Sequence, residues 1–464
     1  MANYTYTRLE VLKSLPLWKV IDDISDGYVG IVERNAKTYL PQGAKESADA
    51  YALRLTQATF VNPFNDTIEG LTGLIFKEPI QYSDDIPSEL EPLIENATMT
   101  GEHMNQVIMK LFDKALRKGL HYGLVDMPQG IAENEKEEIE QGIRPYITLI
   151  PAENVQSWRT TVIAGQLVLT QVKILEIVEE NVDDFATKEI KQYRIYETDG
   201  VNTNLRVIRP SEDGKSEEEM LNIMTGLNFI PLVALNLEEE GFFSARPPFY
   251  DVARLNIGHY NLFTDARYAA HIASVPFYYS AGVQKEEIKD LIIQPNTWVA
   301  LGDPDSKITI VDYDGKGVAV SEKLMDKIEL SIAQAGLNAV TGSVEKTATE
   351  SEYENTKSQS KLNTYAVHLT NTVELLLLYA YRMLKKGKDA ETAGTITINA
   401  DILKKPLTPE EVMMYSTMNE KGQMTLQEVY VNLKAGNRLS EDFDIDVEVE
   451  KVKEEGLLPS VNDA

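Results

Sequence analysis

The chain contains no cysteine. That absence excludes disulfides, thiolate nucleophiles and cysteine-ligated metal sites together, and it suits a reducing compartment. Histidine is nearly as scarce: His103, His121, His259, His271 and His368 are the only five in 464 residues. They are scattered, and no two stand at the i, i+4 spacing of a zinc-binding helix. No window approaches the roughly 18 uninterrupted apolar residues of a membrane span. The most apolar stretch, Val373 to Ala380, is broken by Glu374. The opening Met1-Ala2-Asn3-Tyr4-Thr5 lacks the basic stretch and apolar run of a secretory signal, so a cytoplasmic protein is expected. Positive charge is in deficit, with 45 basic against 73 acidic residues and a formal net charge of −28. Such a field repels nucleic acid at long range and argues against wrapping or reading DNA. It remains compatible with letting a duplex slide past without gripping it. The plainer explanation is an acidic surface that serves solubility.

What is present is ordinary for a folded chain: 43% apolar and 25% charged residues. Helical periodicity covers residues 47–76, where Asn62 and Pro63 restart the chain as a second helix at its first turn. Residues 102–120 carry the clearest amphipathic stripe, Met104, Val107, Ile108, Leu111, Phe112, Ala115 and Leu120. From about 121 to 247 the signal changes to short β-type runs at Tyr146–Ile150, Leu167–Ile174, Gln192–Tyr196 and Leu205–Ile208. Acidic loops at 132–141 and 211–219 read as surface excursions between them.

Residues 248–273 return to helix with unusual regularity. Val252, Leu255, His259, Leu262, Ala266, Ala269 and Ala273 alternate spacings of three and four, the seam of helix-on-helix packing. The late seam positions are all alanine, which permits close approach. Pro276 closes this helix. Strands are expected at Thr297–Leu301 and Lys307–Val311, with turn chemistry at Asp314, Gly315 and Gly317. A helix capped by Ser321 then runs to about Val340, with Leu324, Ile328, Ile332 and Ala335 on one face. Thr341 to Thr349 is polar and breaks the pattern. The longest helical stretch, about 351–386, would span roughly 50 Å if unbroken. Gly387 and Gly394 end it, and Thr395–Asn399 is a short strand. Helices near 408–420 and 425–435 follow. The alternation from Asp442 to Glu450 is strand-like by period, while its glutamates also suit a helix start.

Candidate catalytic sets fail in turn. Gly214-Lys215-Ser216 lacks the glycine a phosphate loop needs five residues earlier, where Arg209 stands, and Glu212, Asp213 and Glu217 to Glu219 would repel phosphate. Asp312-Tyr313-Asp314-Gly315 lacks the terminal glutamate of a calcium loop. No Gly-x-Ser-x-Gly elbow occurs. Arg382, Lys385, Lys386 and Lys388 cluster at a helix end, where basic residues are expected anyway. His259, on an apolar seam, reads as a satisfied interface histidine. No catalytic, cofactor-binding or metal-ligating residue is assigned, and a non-enzymatic, mechanical role is expected.

In order and spacing the chain resembles tailed-bacteriophage portal proteins, and among them a branch long catalogued only as a domain of unknown function. The resemblance is carried by Trp18, Asp22-Asp23, Gly27, Tyr39-Leu40-Pro41, Tyr51 to Asn62, and Gly70 to Phe76 followed by Pro79. Further on it is carried by Phe229 to Val233 leading to Pro247, by Thr347-Ala348-Thr349-Glu350-Ser351, and by Gly422 to Glu428 with the acidic stretch from Glu441.

The resemblance implies an α+β fold with a helix-rich wing bearing short β-strands, two stem helices, a small α/β clip and a helical crown. Laid over this chain, residues 1–247 are the wing, 248–275 the first stem helix, 276–319 the clip and 320–340 the second stem helix. Residues 341–349 become a channel loop with Thr341, Gly342, Ser343 and Lys346 as candidates to face DNA. Residues 350–400 become a long wing helix with a return strand, and 401–464 the crown. The implied assembly is a ring of about twelve copies at one capsid vertex, closed through the seam residues of the first stem helix. Its implied partners are the major capsid or scaffold protein, the terminase large subunit, neck and head–tail adaptor proteins, and double-stranded DNA passing without sequence specificity. No membrane is involved; the ring assembles in the host cytoplasm and ends in the virion. Another structural virion subunit, of the neck or scaffold, is the main alternative. A metal-dependent hydrolase built from scattered carboxylates is the second.

Overall fold

The computed structural model describes residues 6–128, 142–163, 165–210, 217–274, 277–281, 307–311, 316–336, 348–384, 389–398, 409–435, 438–439 and 443–454. The described chain is α+β. It begins with α1 (Leu9–Ser25), a π-helical turn (Val29–Arg34), α2 (Ala36–Tyr39), α3 (Ala48–Thr56) and α4 (Pro63–Ile75). The break between α3 and α4 falls where Asn62 and Pro63 place it. Asn62 Oδ1 accepts from the Asn65 amide at 3.2 Å, and Pro63 brings no amide that would go unpaired.

The first 46 residues carry no clear periodicity, and polar pins explain their shape. The buried Asp23 carboxylate accepts from Tyr39 Oη at 2.8 Å and Asn35 Nδ2 at 3.0 Å, and pairs with Lys19 at 2.9 Å. Gly30 lies so close that an added Cβ would stand 2.0 Å from the Asp23 carbonyl oxygen. Trp18 is buried and donates from Nε1 to the Lys118 carbonyl at 3.0 Å. Several residues that carry the portal resemblance are therefore structural pins.

Next come β1 (Gln81–Tyr82), a 3-10 turn (Ser88–Leu90), α5 (Glu91–Glu95) and α6 (Met104–Lys118). The stripe expected on α6 is buried from Met104 to Ala115, and Leu120 lies just beyond it as the first residue of the next strand. α6 ends at Gly119, whose φ of +83° is a left-handed cap that only glycine adopts cheaply.

The chain then enters the sheets: β2 (Leu120–Asp126), β3 (Tyr146–Ile150), β4 (Val155–Ile163), β5 (Gln166–Asn181), β6 (Thr187–Thr198), β7 (Thr203–Pro210), β8 (Glu217–Met224) and β9 (Leu232–Asn236), then the small hairpin of β10 (Glu239–Gly241) and β11 (Ser244–Ala245). β2 is central in a three-stranded antiparallel sheet ordered β3-β2-β9. It is buried on both faces, so alternation sorts its side chains between two cores. Val125 joins Ile147, Val233 and Leu235 in a core shared with the helices. Leu120, Tyr122 and Leu124 join Ile150 and Leu232 in a second core, against Trp158, Val172, Ile174 and Tyr196 of a five-stranded meander ordered β4-β5-β6-β7-β8. One expectation is corrected here: Glu217 to Glu219 are not loop but the start of β8, paired with β7.

The remaining elements are α7 (Tyr250–Ser274), β12 (Phe277–Ala281), β13 (Lys307–Val311), α8 (Lys316–Ala335), α9 (Ala348–Met383) and β14 (Ile396–Thr397), followed by α10 (Pro409–Glu420), α11 (Leu426–Ala435) and α12 (Ile445–Glu454). β12 and β13 pair antiparallel, with Phe277 opposite Val311. α9 packs on β2 and β9, and Gly123 of β2 makes room for Leu376. The acid that interrupts the apolar stretch of α9 is matched to a backbone donor. Glu374 accepts from the Ile396 amide at 3.2 Å, where β14 pairs with β1.

Two boundary expectations change, and one open alternative is decided. α8 starts at Lys316, so Ser321 lies inside the helix rather than capping it, and Gly317 is helical rather than part of a turn. α9 starts at Ala348, within the segment expected as loop. The Asp442–Glu450 alternation forms helix α12 from Ile445, because Asp444 Oδ1 accepts from the amides of Asp446 and Val447, each at 3.1 Å. α11 is capped reciprocally, as Thr425 and Glu428 each accept from the other's amide. The expected strand Thr297–Leu301, the motifs at 214–216 and 312–315, and Lys385, Lys386 and Lys388 lie outside the described residues.

Candidate functional site

The two helices α7 and α8 pack on one another beside the N-terminal helical layer, and polar contacts tie α7 to that layer. Asn256 is fully buried. Its Nδ2 donates to the Val61 carbonyl at 2.9 Å, and its Oδ1 accepts from the Phe64 amide at 3.4 Å. One side chain thus satisfies both backbone groups exposed by the α3–α4 break. Removing it strands a donor and an acceptor in the core. Asn256→Ala is expected to cost about 2 kcal/mol in chemical denaturation, whereas an exposed substitution such as Arg254→Ala stays near zero.

Arg54 clamps the other side. It is buried at 8% exposure, donates to Glu46 and to the Pro41 carbonyl at 2.9 Å, and reaches Asp265 of α7 at 2.9 Å. Its hydrogen bonds hold the Glu46 carboxyl below the usual carboxylate range. Tyr260 meets Phe60 edge-on at 5.8 Å.

The seam expected on α7 divides into two rows. Val252, His259 and Ala266 are 2%, 4% and 6% exposed and face into the subunit itself. Leu255, Leu262 and Ala269 remain half-buried, and the side chain of Ala273 lies outside the described residues. The most deeply buried stripe is neither row. It consists of Ala253, Asn256, Ile257, Tyr260 and Thr264, each at 5% exposure or less. Its polar members hid it from a search for apolar periodicity. Their spacing of three and four was the signal that could have found it.

α8 is held to α7 by His259, whose Nε2 lies 2.9 Å from Glu329 Oε1, and by the buried Ile332. Gly336 ends this helix against α4, where an added Cβ would lie 2.6 Å from Thr67 Oγ1. A cavity of about 440 Å³ remains between α4, α7 and α8, lined by Val61, Thr67, His259, Glu329, Ile332 and Ala333. Away from this contact α8 is bare: Val320, Leu324 and Leu330 are 60%, 45% and 57% exposed. Of the face expected on it, Ile332 is buried, Ile328 half-buried, and Leu324 and Ala335 exposed. The channel-loop candidates Thr341, Gly342, Ser343 and Lys346 lie outside the described residues.

The histidines remain apart, each in its own setting. His103 caps α6, accepting from the Asn105 amide at 3.1 Å, and His368 Nδ1 lies 2.8 Å from the Asn236 carbonyl. His121 is buried on β2, and desolvation with the nearby Lys118 and Lys114 charges pushes it down to about 3. Lys118 itself pairs with Asp22 and Glu153, each at 2.8 Å, tying α1 to the sheet layer. Among the described residues no helix is long and apolar enough to cross a membrane, and no group of three or more potential ligands is placed to hold a metal ion.

Residues 248–384 match a protein family described as a domain of unknown function (DUF4055). No curated protein matches the chain. Among solved structures the chain is similar to one described as the neck of an empty GTA particle computed with C6 symmetry. That likeness has 11% identity and a TM-score of 0.40, and it covers 84% of this chain and 94% of that one. The family match runs from just before α7 to just past α9, the segment that holds α7, the β12–β13 pair, α8 and α9.

Proposed function

We propose that this chain is a structural subunit of a tailed-phage virion and, within that class, the portal: a ring at the capsid vertex through which double-stranded DNA is packaged and ejected. The observation that carries the reading is the unit of α7, the β12–β13 pair and α8, rooted in a well-packed layer yet with apolar residues of α8 left uncovered. A lone subunit has no use for Val320, Leu324 and Leu330 in water; a neighbouring copy would cover them. With Val252, His259 and Ala266 spent inside the subunit, ring contact falls to Leu255, Leu262 and Ala269. The family match spans this unit, and the portal resemblance assigns the same segment to stem and clip.

The acidic balance fits a channel that weakens phosphate contacts rather than making them. In this reading the clip, which includes the β12–β13 pair, meets the terminase large subunit during packaging and neck or adaptor proteins afterwards. The wing and crown meet the capsid or scaffold protein. The subunit hydrolyses nothing.

Leu262→Glu and Leu330→Glu test the proposed contact faces. Each places an unpaired carboxylate in a closed seam, at about 3 kcal/mol per interface. Sedimentation is expected to show rings replaced by monomers that melt like wild type. Rings that persist undiminished in both variants would count against this contact.

A further inference from the structure

The five-stranded meander turns one face to the second core and the other outward, and the outward face holds a cavity of about 610 Å³. Strand register builds it. Ser157 of β4 pairs with Lys173, Lys173 with Ile195, and Ile195 with Arg206, so the four share a face. The neighbouring row runs Arg159, Gln171, Glu197, Asn204 on the same face. The N-terminal segment closes one side: Arg8 donates to the Trp158 carbonyl at 2.9 Å and stacks 4.5 Å over the Trp158 ring, while the Tyr6 carbonyl accepts from Lys173 Nζ. The lining therefore carries four cations, Arg8, Arg159, Lys173 and Arg206, against the single carboxylate of Glu197. This is a positive hollow on a chain whose net charge is −28.

We propose that this hollow is a docking site for an extended acidic peptide segment of a partner protein, bound through its carboxylates. The Arg159 guanidinium is exposed and makes no hydrogen bond or ion pair with a described residue. Arg206 Nε is buried with no acceptor among the described residues, and its Nη2 reaches Glu197 only at 3.3 Å. Guanidinium forks match carboxylates in geometry. Lys173 is buried at 7% exposure, and burial pushes its ammonium down to about 8, a cost that an incoming anion relieves. Across four strands the hollow spans roughly 14 Å, the length of about four extended residues. A nucleic acid fits less well. Its backbone needs a long positive track, whereas Glu197 stands inside the hollow and Glu10 already pairs with Arg8 at 2.8 Å.

The test is fluorescence anisotropy of a short labelled Glu/Asp-rich peptide on the intact protein, with a Gln/Asn counterpart, inorganic phosphate and a single-stranded oligonucleotide as competitors. Saturable binding of the acidic peptide is expected, with the counterpart failing to compete. Arg159→Ala, an exposed change that leaves the fold alone, should weaken binding by about tenfold. Lys173→Met should weaken it comparably, and because it also loses the Tyr6 and Tyr193 contacts it is read beside Arg159→Ala. Unchanged affinity in both variants, no saturable binding, or competition by phosphate or oligonucleotide at lower concentration than unlabelled peptide overturns the proposal.

Discussion

Acidification is expected to cost this fold about 4–5 kcal/mol through His121 alone as pH falls from 6.5 to 3. The group lies on β2 at 5% exposure, and its Nδ1 has no hydrogen-bond partner among the described residues. Desolvation and the charges of Lys118 and Lys114 hold its folded value near 3, against 6.5 for a solvated imidazole. Between those values the unfolded chain binds a proton that the folded chain refuses, so protonation favours unfolding. The contribution is therefore fully present above pH 6.5 and is lost as pH falls towards 3. Other acids titrate in the same window, which makes the comparison with His121→Leu the informative one. Urea midpoints of wild type should fall more steeply from pH 7 to 4, with the two curves diverging by about 3 kcal/mol. Parallel curves would show that His121 is not the source.

The second large effect is at the joint between α6 and β2. Gly119 has φ +83°, and a Cβ there would lie 2.3 Å from the Arg246 carbonyl oxygen, a backbone atom that cannot swing aside. Its own carbonyl accepts from the Leu237 amide at 2.9 Å, so the joint also fixes the chain leaving β9. Gly119→Ala is expected to cost about 3 kcal/mol or more, roughly half from the left-handed backbone and the rest from displaced chain. Gly200, at φ +90° with nothing within 4 Å of an added Cβ, isolates the first component. Gly200→Ala should cost about 1 kcal/mol. Equal thermal shifts for the two variants would mean that Arg246 yields freely.

Where neighbours along the chain decide the structure, the sequence was readable. The α6 stripe, the Asn62–Pro63 break and the β13 strand needed only local spacing. Where distant groups decide, it was not. The π-helical turn depends on Asp23 meeting Tyr39 and Asn35, which no period announces. The deep stripe on α7 was missed because Asn256 and Thr264 are polar, and Asn256 is buried only because the distant Val61 carbonyl and Phe64 amide pair with it. The Asp442–Glu450 stretch offered strand by alternation and helix by its glutamates, and the Asp444 cap goes with the helix. The basic hollow was invisible for a different reason. Arg8, Arg159, Lys173 and Arg206 lie far apart along the chain, and antiparallel register gathers the last three.

Negative-stain images of the purified chain bear most directly on the ring. Closed particles of about twelve copies around a central channel wide enough for duplex DNA are expected. A population of isolated monomers, or of rods without a channel, under every condition that favours assembly would contradict the portal reading.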